Sequence, residues 1–321
     1  MGKMHAAVVT SFDEPPHYRE VDTPQPGTAD EILVAVLGAG LHPRVRSGAA
    51  GAHYASTGAL PLIPGVDGVG RRSDGTLIYF VATDDVGTMA DWAVVDVRRA
   101  IELSDDVDVA SVAAGMNPAM SSWVALRRRV PMQPGQSVLV LGATGNAGTM
   151  AIQVAKRLGA GRVIGAGRDR SRLERLAAIG ADEVVPLTDD EQETSRALSA
   201  AAGDVDIVLD YVWGQPAQQA MVALLQGRSD RSRALEWIQI GAMAGPTIEL
   251  ASVALRSANL RLQGNGQGAV SPATYRAELP SLVAEIDAGN LTISANREPL
   301  ADVEAVWKRP EGSGERTVLV P

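Results

Sequence analysis

The apolar run Val138-Leu139-Val140-Leu141 leads into Gly142-Ala143-Thr144-Gly145-Asn146-Ala147-Gly148 and then into a stretch of helical periodicity. Glycines at this spacing let a turn approach a pyrophosphate. Backbone N–H groups and the positive end of the following helix face the phosphates, and Gly145 and Gly148 omit the Cβ atoms that would block them. The setting, strand then turn then helix inside a βαβ unit, is the one this pattern requires; a glycine-rich turn that binds nothing is the alternative. The next apolar run, Arg162-Val163-Ile164-Gly165-Ala166-Gly167, ends where a protein preferring NAD offers a carboxylate to the ribose hydroxyls. Here Gly167 is followed by Arg168, with Arg170 and Arg172 close behind. Arginine holds a 2′-phosphate through paired charge-assisted hydrogen bonds, so the reading is NADP(H). Asp169 argues the other way, and arginines that only solvate the start of a helix are the alternative.

These residues need a parallel sheet to hold them, and the pattern from Gln136 onward supplies one. Strand-like runs at Ser137 to Leu141, Arg162 to Ala166, Glu183 to Leu187, Asp206 to Asp210, Glu236 to Ile240 and Leu260 to Gln263 alternate with helical patterns such as Ala147 to Leu158 and Ser171 to Ile179. Six strands in this alternation predict a doubly wound Rossmann sheet. The first hundred residues instead carry short runs, Ile32 to Leu37, Thr76 to Val81 and Trp92 to Val95, among glycines and prolines, which predicts a barrel-like β domain. A helix is expected from about Asp108 to just before Pro131, and another over Thr274 to Ala288. The closing run Arg316 to Val320 is too short to stand alone and is expected to join the sheet of the N-terminal domain.

The 321 residues, 45% hydrophobic and 21% charged, suit two globular domains. A formal net charge of -9 gives no footing for nucleic acid or an anionic membrane. The N-terminus lacks a signal-peptide pattern and no apolar run reaches membrane-spanning length, so a soluble cytoplasmic protein is expected. There is no cysteine, which removes disulfides, thiol nucleophiles and thiolate ligands together.

The chain resembles the medium-chain dehydrogenase/reductase superfamily, in its zinc-free quinone oxidoreductase-like branch, over nearly its whole length. Pro61-Leu62-Ile63-Pro64-Gly65-Val66-Asp67-Gly68-Val69-Gly70 and Gly87-Thr88-Met89-Ala90-Asp91-Trp92 resemble segments of that family's GroES-like domain. Gly40-Leu41-His42-Pro43 stands where the branch has Gly, an aliphatic, Asn and Pro, and Ser121-Ser122-Trp123 resembles the Thr-Ala-Tyr step whose hydroxyl approaches the nicotinamide. Ala143, Gly145 and Gly148 match the branch's fingerprint, and Gly241, Gly264 and Asn265 fall where family loops wrap the cofactor.

The resemblance implies a GroES-like substrate domain over residues 1–117 and 267–321 and a Rossmann NADP(H)-binding domain over 118–266, with the reaction in the cleft between them. It implies hydride transfer from NADPH to a quinone or activated alkene. An enoyl-thioester or carbonyl reductase, or a non-catalytic crystallin-like NADPH binder, is the alternative. The zinc-dependent members build their sites from Cys, His and a carboxylate. With no cysteine and only His5, His17, His42 and His53, that set cannot be assembled here. The substrate oxygen then needs another hydrogen-bond donor, for which His42 and Tyr54 are the candidates, Tyr54 by likeness to a tyrosine of the branch. His42 as a partner of cofactor or backbone without proton transfer, and Tyr54 as a pocket wall, stay open. Trp92, Trp123 and Trp213 are candidates for stacking a quinone, or are core residues. The family habit implies a homodimer through the last Rossmann strands.

Overall fold

Val34, Val36 and Ala39 are buried along one ten-residue strand, and a β-rich unit is assembled on that strand. The computed structural model describes residues 2–53, 56–82, 87–266, 268–309 and 315–321. Along the chain come β1 (Lys3–Val8), β2 (His17–Asp22), β3 (Glu31–Gly40), α1 (Pro43–Ala49), β4 (Asp67–Arg72), β5 (Leu77–Val81), β6 (Trp92–Asp96), β7 (Ala100–Glu102) and α2 (Val109–Val124). A regular alternation follows: β8 (Ser137–Leu141), α3 (Asn146–Arg157), β9 (Arg162–Gly167), α4 (Arg170–Leu173), β10 (Glu183–Pro186), α5 (Glu191–Ala202), β11 (Ile207–Asp210), α6 (Gly214–Gly227), β12 (Leu235–Gln239), α7 (Ser252–Arg256) and β13 (Leu260–Gly264). The chain closes with α8 (Pro272–Asp287), β14 (Ala295–Pro299), α9 (Val303–Lys308) and β15 (Arg316–Val320). It divides into two units, Met1–Asn117 with Pro272–Pro321, and Pro118–Ser271, so the second division falls at Pro272 rather than residue 267.

In the first unit the sheet order is β14-β15-β3-β4-β5-β7, with β6 also paired to β3, while β1 and β2 form a separate antiparallel pair. β15 pairs antiparallel with the end of β3, Val318 opposite Gly40 and Leu319 opposite Ala39. The short C-terminal run thus gains the ladder it cannot form alone. The core between these strands holds Val34, Val36, Ile78, Phe80, Ala93 and Val95, the inward members of period-two patterns.

The second unit is a parallel six-stranded sheet in the order β10-β9-β8-β11-β12-β13. β8 lies inside that sheet, and its residues Val138 to Leu141 are all fully buried, which is why it reads as an unbroken apolar run. Leu139, Leu141, Ile164, Val208 and Trp237 pack with Leu198, Met221 and Leu224 of α5 and α6. The predicted helix over Ser171 to Ile179 is instead the four-residue α4 followed by a 3₁₀ turn at Leu176–Ile179, ended by Gly180 in the left-handed region at φ 108°.

Candidate functional site

The strand order reverses at β8, with β9 on one side and β11 on the other, and such a reversal opens a crevice at the carboxyl ends of the strands. The register sets Leu141 beside Ala166 and Asp210, Asp210 beside Gln239, and Gln239 beside Gly264. The segments after β8, β9, β11, β12 and β13 therefore start from one row. Each contains residues singled out from the sequence: the glycine turn, Arg168 and Arg172 after Gly167, Trp213 after Asp210, Gly241 after Gln239, and Asn265 after Gly264.

Gly142 takes φ 85°, and a Cβ placed on it would lie 3.0 Å from Val212 Cγ1 and 3.3 Å from Tyr211 Cβ, so the loops after β8 and β11 touch through the absence of a side chain. A Cβ on Gly148 would lie 2.2 Å from Gly142 O and 2.7 Å from Ala143 Cα, which is the close helix-to-strand packing expected of the last fingerprint glycine. At Gly145 the nearest atom to such a Cβ is Gly142 O at 3.5 Å, leaving the turn open on that side. Gly145 caps α3 without any side-chain hydrogen bond, so among the described residues the first-turn N–H groups of Asn146, Ala147 and Gly148 have no capping side chain.

Past β9 the arginines separate. Arg172 donates from Nη1 to Thr144 O at 3.2 Å and pairs with Asp169 at 3.3 Å, which ties α4 to the glycine turn. Asp169 accepts from Ser171 Oγ at 2.8 Å and from Arg172 N at 3.1 Å. The Ser171 hydroxyl first, then the Arg172 N–H, hold its carboxyl below the ordinary range. Its carboxylate is thus committed to the start of α4. Arg168 is exposed and has no side-chain partner among the described residues.

Three residues meet at the same ends of the strands. Tyr211 OH lies 3.0 Å from Ser121 Oγ, and Ser121 Oγ donates to Pro118 O at 2.9 Å, so the phenol is the donor of the first pair. Asn265 Nδ2 donates to Ser121 O at 2.8 Å, and its backbone N–H donates to Gln239 O at 2.8 Å. Burial raises the Tyr211 phenol to about 12 against the opposing hydrogen bonds of Ser121 and Ser122, so it remains a donor at neutral pH. Asn265 Oδ1 is enclosed and has no hydrogen-bond partner among the described residues. Beside this cluster Asp210, fully buried, accepts from the N–H groups of Val212 and Trp213, both at 2.9 Å, and from Trp237 Nε1 at 3.0 Å. Burial nevertheless raises its pKa. Those bonds hold the turn in which Trp213 adopts φ 48°, an unusual value for a residue with a side chain. Trp213 and Gly264 line a cavity of about 300 Å³ with Gln239, Ala242, Pro246 and Leu262. A larger cavity, about 560 Å³, opens at the other ends of the strands, where Arg233 and Arg261 pair with Asp206 and Glu236.

Trp123 is buried in α2 with Arg127 5.1 Å above its ring, and its Nε1 is enclosed without a partner among the described residues. Trp92 sits half exposed on β6 opposite Ala35, away from the end of β3 that leads to His42. Tyr54 lies outside the described residues.

In the first unit His42 precedes α1 and is only 3% exposed. Its Nε2 lies 3.1 Å from Asp67 Oδ1, and Tyr79 OH donates to Asp67 Oδ2 at 2.8 Å. Asp67 and Tyr79 are fully buried, on β4 and β5, and Thr88 Oγ1 donates to Asp67 O at 2.9 Å. Burial lowers the His42 pKa; Asp67 opposes this, and Arg316 and Arg44 add to it. The sequence reading named neither Asp67, Tyr79 nor Tyr211 as site residues. An acid inside the glycine-rich strand Asp67-Gly68-Val69-Gly70 was the available signal for the first. The two tyrosines are marked out only by what they meet in space.

A family described as zinc-binding dehydrogenase matches residues 147–280. The protein of Emericella nidulans named "Probable NADPH-dependent quinone reductase tdiC" is 30% identical, over 99% of this chain and 100% of its own. This chain belongs to the quinone oxidoreductase-like branch of the medium-chain dehydrogenase/reductase superfamily. The NADPH-dependent alkenal/one oxidoreductase of Arabidopsis thaliana is 25% identical over 51% of this chain and 47% of that one. Among solved structures, the quinone oxidoreductase of Thermus thermophilus covers 99% of this chain and 100% of its own at TM-score 0.77 and 24% identity, a likeness of fold. Among the described residues of this branch member, no group of three or more His, Cys, Asp or Glu is placed to hold a metal ion, and no helix is long and apolar enough to cross a membrane.

Proposed function

We propose that this chain is an NADPH-dependent oxidoreductase that delivers hydride to a quinone or an activated alkene such as an enone, without zinc. The observation that carries the reading is the turn Gly142 to Gly148: open at Gly145, uncapped at α3, and set at the reversal of strand order. The named activities of its relatives support the choice of reaction.

The residues present fit a pyridine dinucleotide. The N–H groups of Asn146, Ala147 and Gly148 are the donors for the pyrophosphate, and Ala143 and Thr144 shape the turn beneath it. Arg168, next to Gly167, is the side chain for the 2′-phosphate, while Arg172 fixes the turn through Thr144. Ser121, Tyr211 and Asn265, with the Gly241 and Gly264 loops, are the groups for the nicotinamide end. The unsatisfied Asn265 Oδ1 is an acceptor for an amide N–H there. NADPH supplies the hydride. Everything else rests on holding the acceptor in reach and orienting its oxygen, as the sequence lacks the thiolate set of the zinc-dependent relatives. His42 and Tyr54 remain the proposed residues facing the substrate, with Trp123 and Trp213 the aromatic walls.

The deciding experiment is NADPH oxidation by the purified protein with a benzoquinone, a naphthoquinone, an enone, an enoyl thioester and an aldehyde in parallel. Turnover of quinones or enones above the other two classes is expected. Activity confined to thioesters or aldehydes would move the assignment to the reductases of those groups, and tight NADPH binding with no turnover on any of them would make the protein a nucleotide binder.

The second proposal is a homodimer through β13, an edge of the six-stranded sheet, where Leu262 is 37% exposed. Sedimentation should give twice the chain mass, and Leu262→Lys should shift it to the monomer.

A further inference from the structure

Gly167 closes β9 about 20 residues beyond the glycine turn, at the place where an NAD-selecting protein carries the carboxylate that holds the ribose hydroxyls. Its φ lies outside the left-handed region, so the backbone there does not demand glycine. A neighbour does. A Cβ built on Gly167 would lie 2.7 Å from Thr144 Cγ2, 2.9 Å from Thr144 Oγ1 and 3.4 Å from Thr144 Cβ, and these are its three nearest atoms. The first two approaches are closer than side chains tolerate, and the third is an ordinary contact.

Thr144 cannot turn aside. Its Cβ spreads two heavy atoms over three staggered positions, and two of those positions face Gly167, so every staggered rotamer leaves at least one heavy atom there. The backbone on both sides is tied as well. Ala143 N donates to Ala166 O at 2.9 Å, Gly145 N to Gly142 O at 3.1 Å, and Leu187 N to Gly167 O at 2.8 Å. Arg172 Nη1 donates to Thr144 O at 3.2 Å. Making room beside Gly167 therefore means displacing the glycine turn itself.

We propose that Thr144 is a specificity-determining residue, whose branched side chain fills the space that a carboxylate at position 167 needs and so keeps the dinucleotide site open to a 2′-phosphate. This rests on the function proposed above and deepens it. Cofactor choice is then set inside the second unit by a contact, Thr144 against Gly167, as well as by the charge of Arg168. The contact acts by exclusion: an acid at position 167 would accept from the ribose hydroxyls of NADH and repel the 2′-phosphate of NADPH, and Thr144 leaves it no room. The obstruction ends at two atoms, since Thr144→Ala leaves only the 3.4 Å contact.

The test compares the wild type, Gly167→Asp, Thr144→Ala and the double variant, with Kd for NADPH and NADH read from the fluorescence of the reduced nucleotide. Gly167→Asp alone should weaken both, because the turn is pushed out of place. Adding Thr144→Ala should recover NADH binding by about tenfold or more, while NADPH stays weak against the new carboxylate. Stability reads the same contact with no nucleotide present. Gly167→Ala should lower the melting temperature by about 3 °C or more beside Thr144 and by much less beside Thr144→Ala. Gly167→Asp gaining NADH affinity with Thr144 in place would overturn the proposal. So would a double variant that does not fold or recovers no NADH binding, or a cost of Gly167→Ala that is the same in both backgrounds. A wild type that binds neither dinucleotide, with the stability coupling intact, would overturn the proposed function and the specificity role with it.

Discussion

Arg168 and Arg172 stand four positions apart and carry the same charge, yet only Arg172 is engaged, through Thr144 and Asp169. The two arginines should therefore fail differently. Arg168→Ala should weaken NADPH binding by about 1 to 3 kcal/mol and leave NADH nearly unaffected, since only the former carries the 2′-phosphate. Arg172→Ala should weaken both, because it loosens the turn that serves either dinucleotide. Titration of each variant with each nucleotide decides it, and equal losses in Arg168→Ala would remove the assignment. His42 has a signature in stability. Its native pKa is lowered by burial, so below the unfolded value, near 6.5, the unfolded chain binds a proton that the native ring refuses. Stability should fall as pH drops from about 7.5 toward about 5.5, and His42→Asn should flatten that slope in urea titrations.

Within the elements, the positions that matter are where helix meets strand. Gly148→Ala drives a methyl into Gly142 O and Ala143, so α3 must move off β8. A loss of about 1 to 3 kcal/mol is expected, together with NADPH affinity. Asp190 accepts from Gln192 N and Glu193 N at the start of α5, and Asp190→Ala should cost about 1 kcal/mol without touching the dinucleotide. Comparing the pair by urea unfolding and NADPH titration separates site from scaffold. The stretch over Ser171 to Ile179 shows why periodicity alone does not decide an element. Leu173 and Leu176 are buried three residues apart, a spacing that a 3.6-residue and a 3.0-residue turn both satisfy, and the chain divides them between α4 and a 3₁₀ turn.

For the molecule as a whole, the absence of cysteine decides more than the description of the matching family. No thiolate can enter a metal site, so quinone reduction should survive prolonged chelation and the purified protein should carry no stoichiometric zinc. Inactivation by a chelator and recovery on adding zinc would refute this. The sequence by itself determined the six parallel strands, the glycine turn and the return of the C-terminal run to the first unit. Each is encoded locally, in unbroken apolar runs, in glycines at fixed offsets, and in a strand too short to stand alone. Tertiary structure decided which way the side chains point and what they meet. Tyr211 joins Ser121 across 90 positions, Nε2 of His42 meets Asp67 across 25, and Arg172 rather than Arg168 is tied to the turn. Hydrogen bonds between side chains distant in sequence leave no period or spacing behind. They depend on register and on burial, which come into being only when the sheets are assembled.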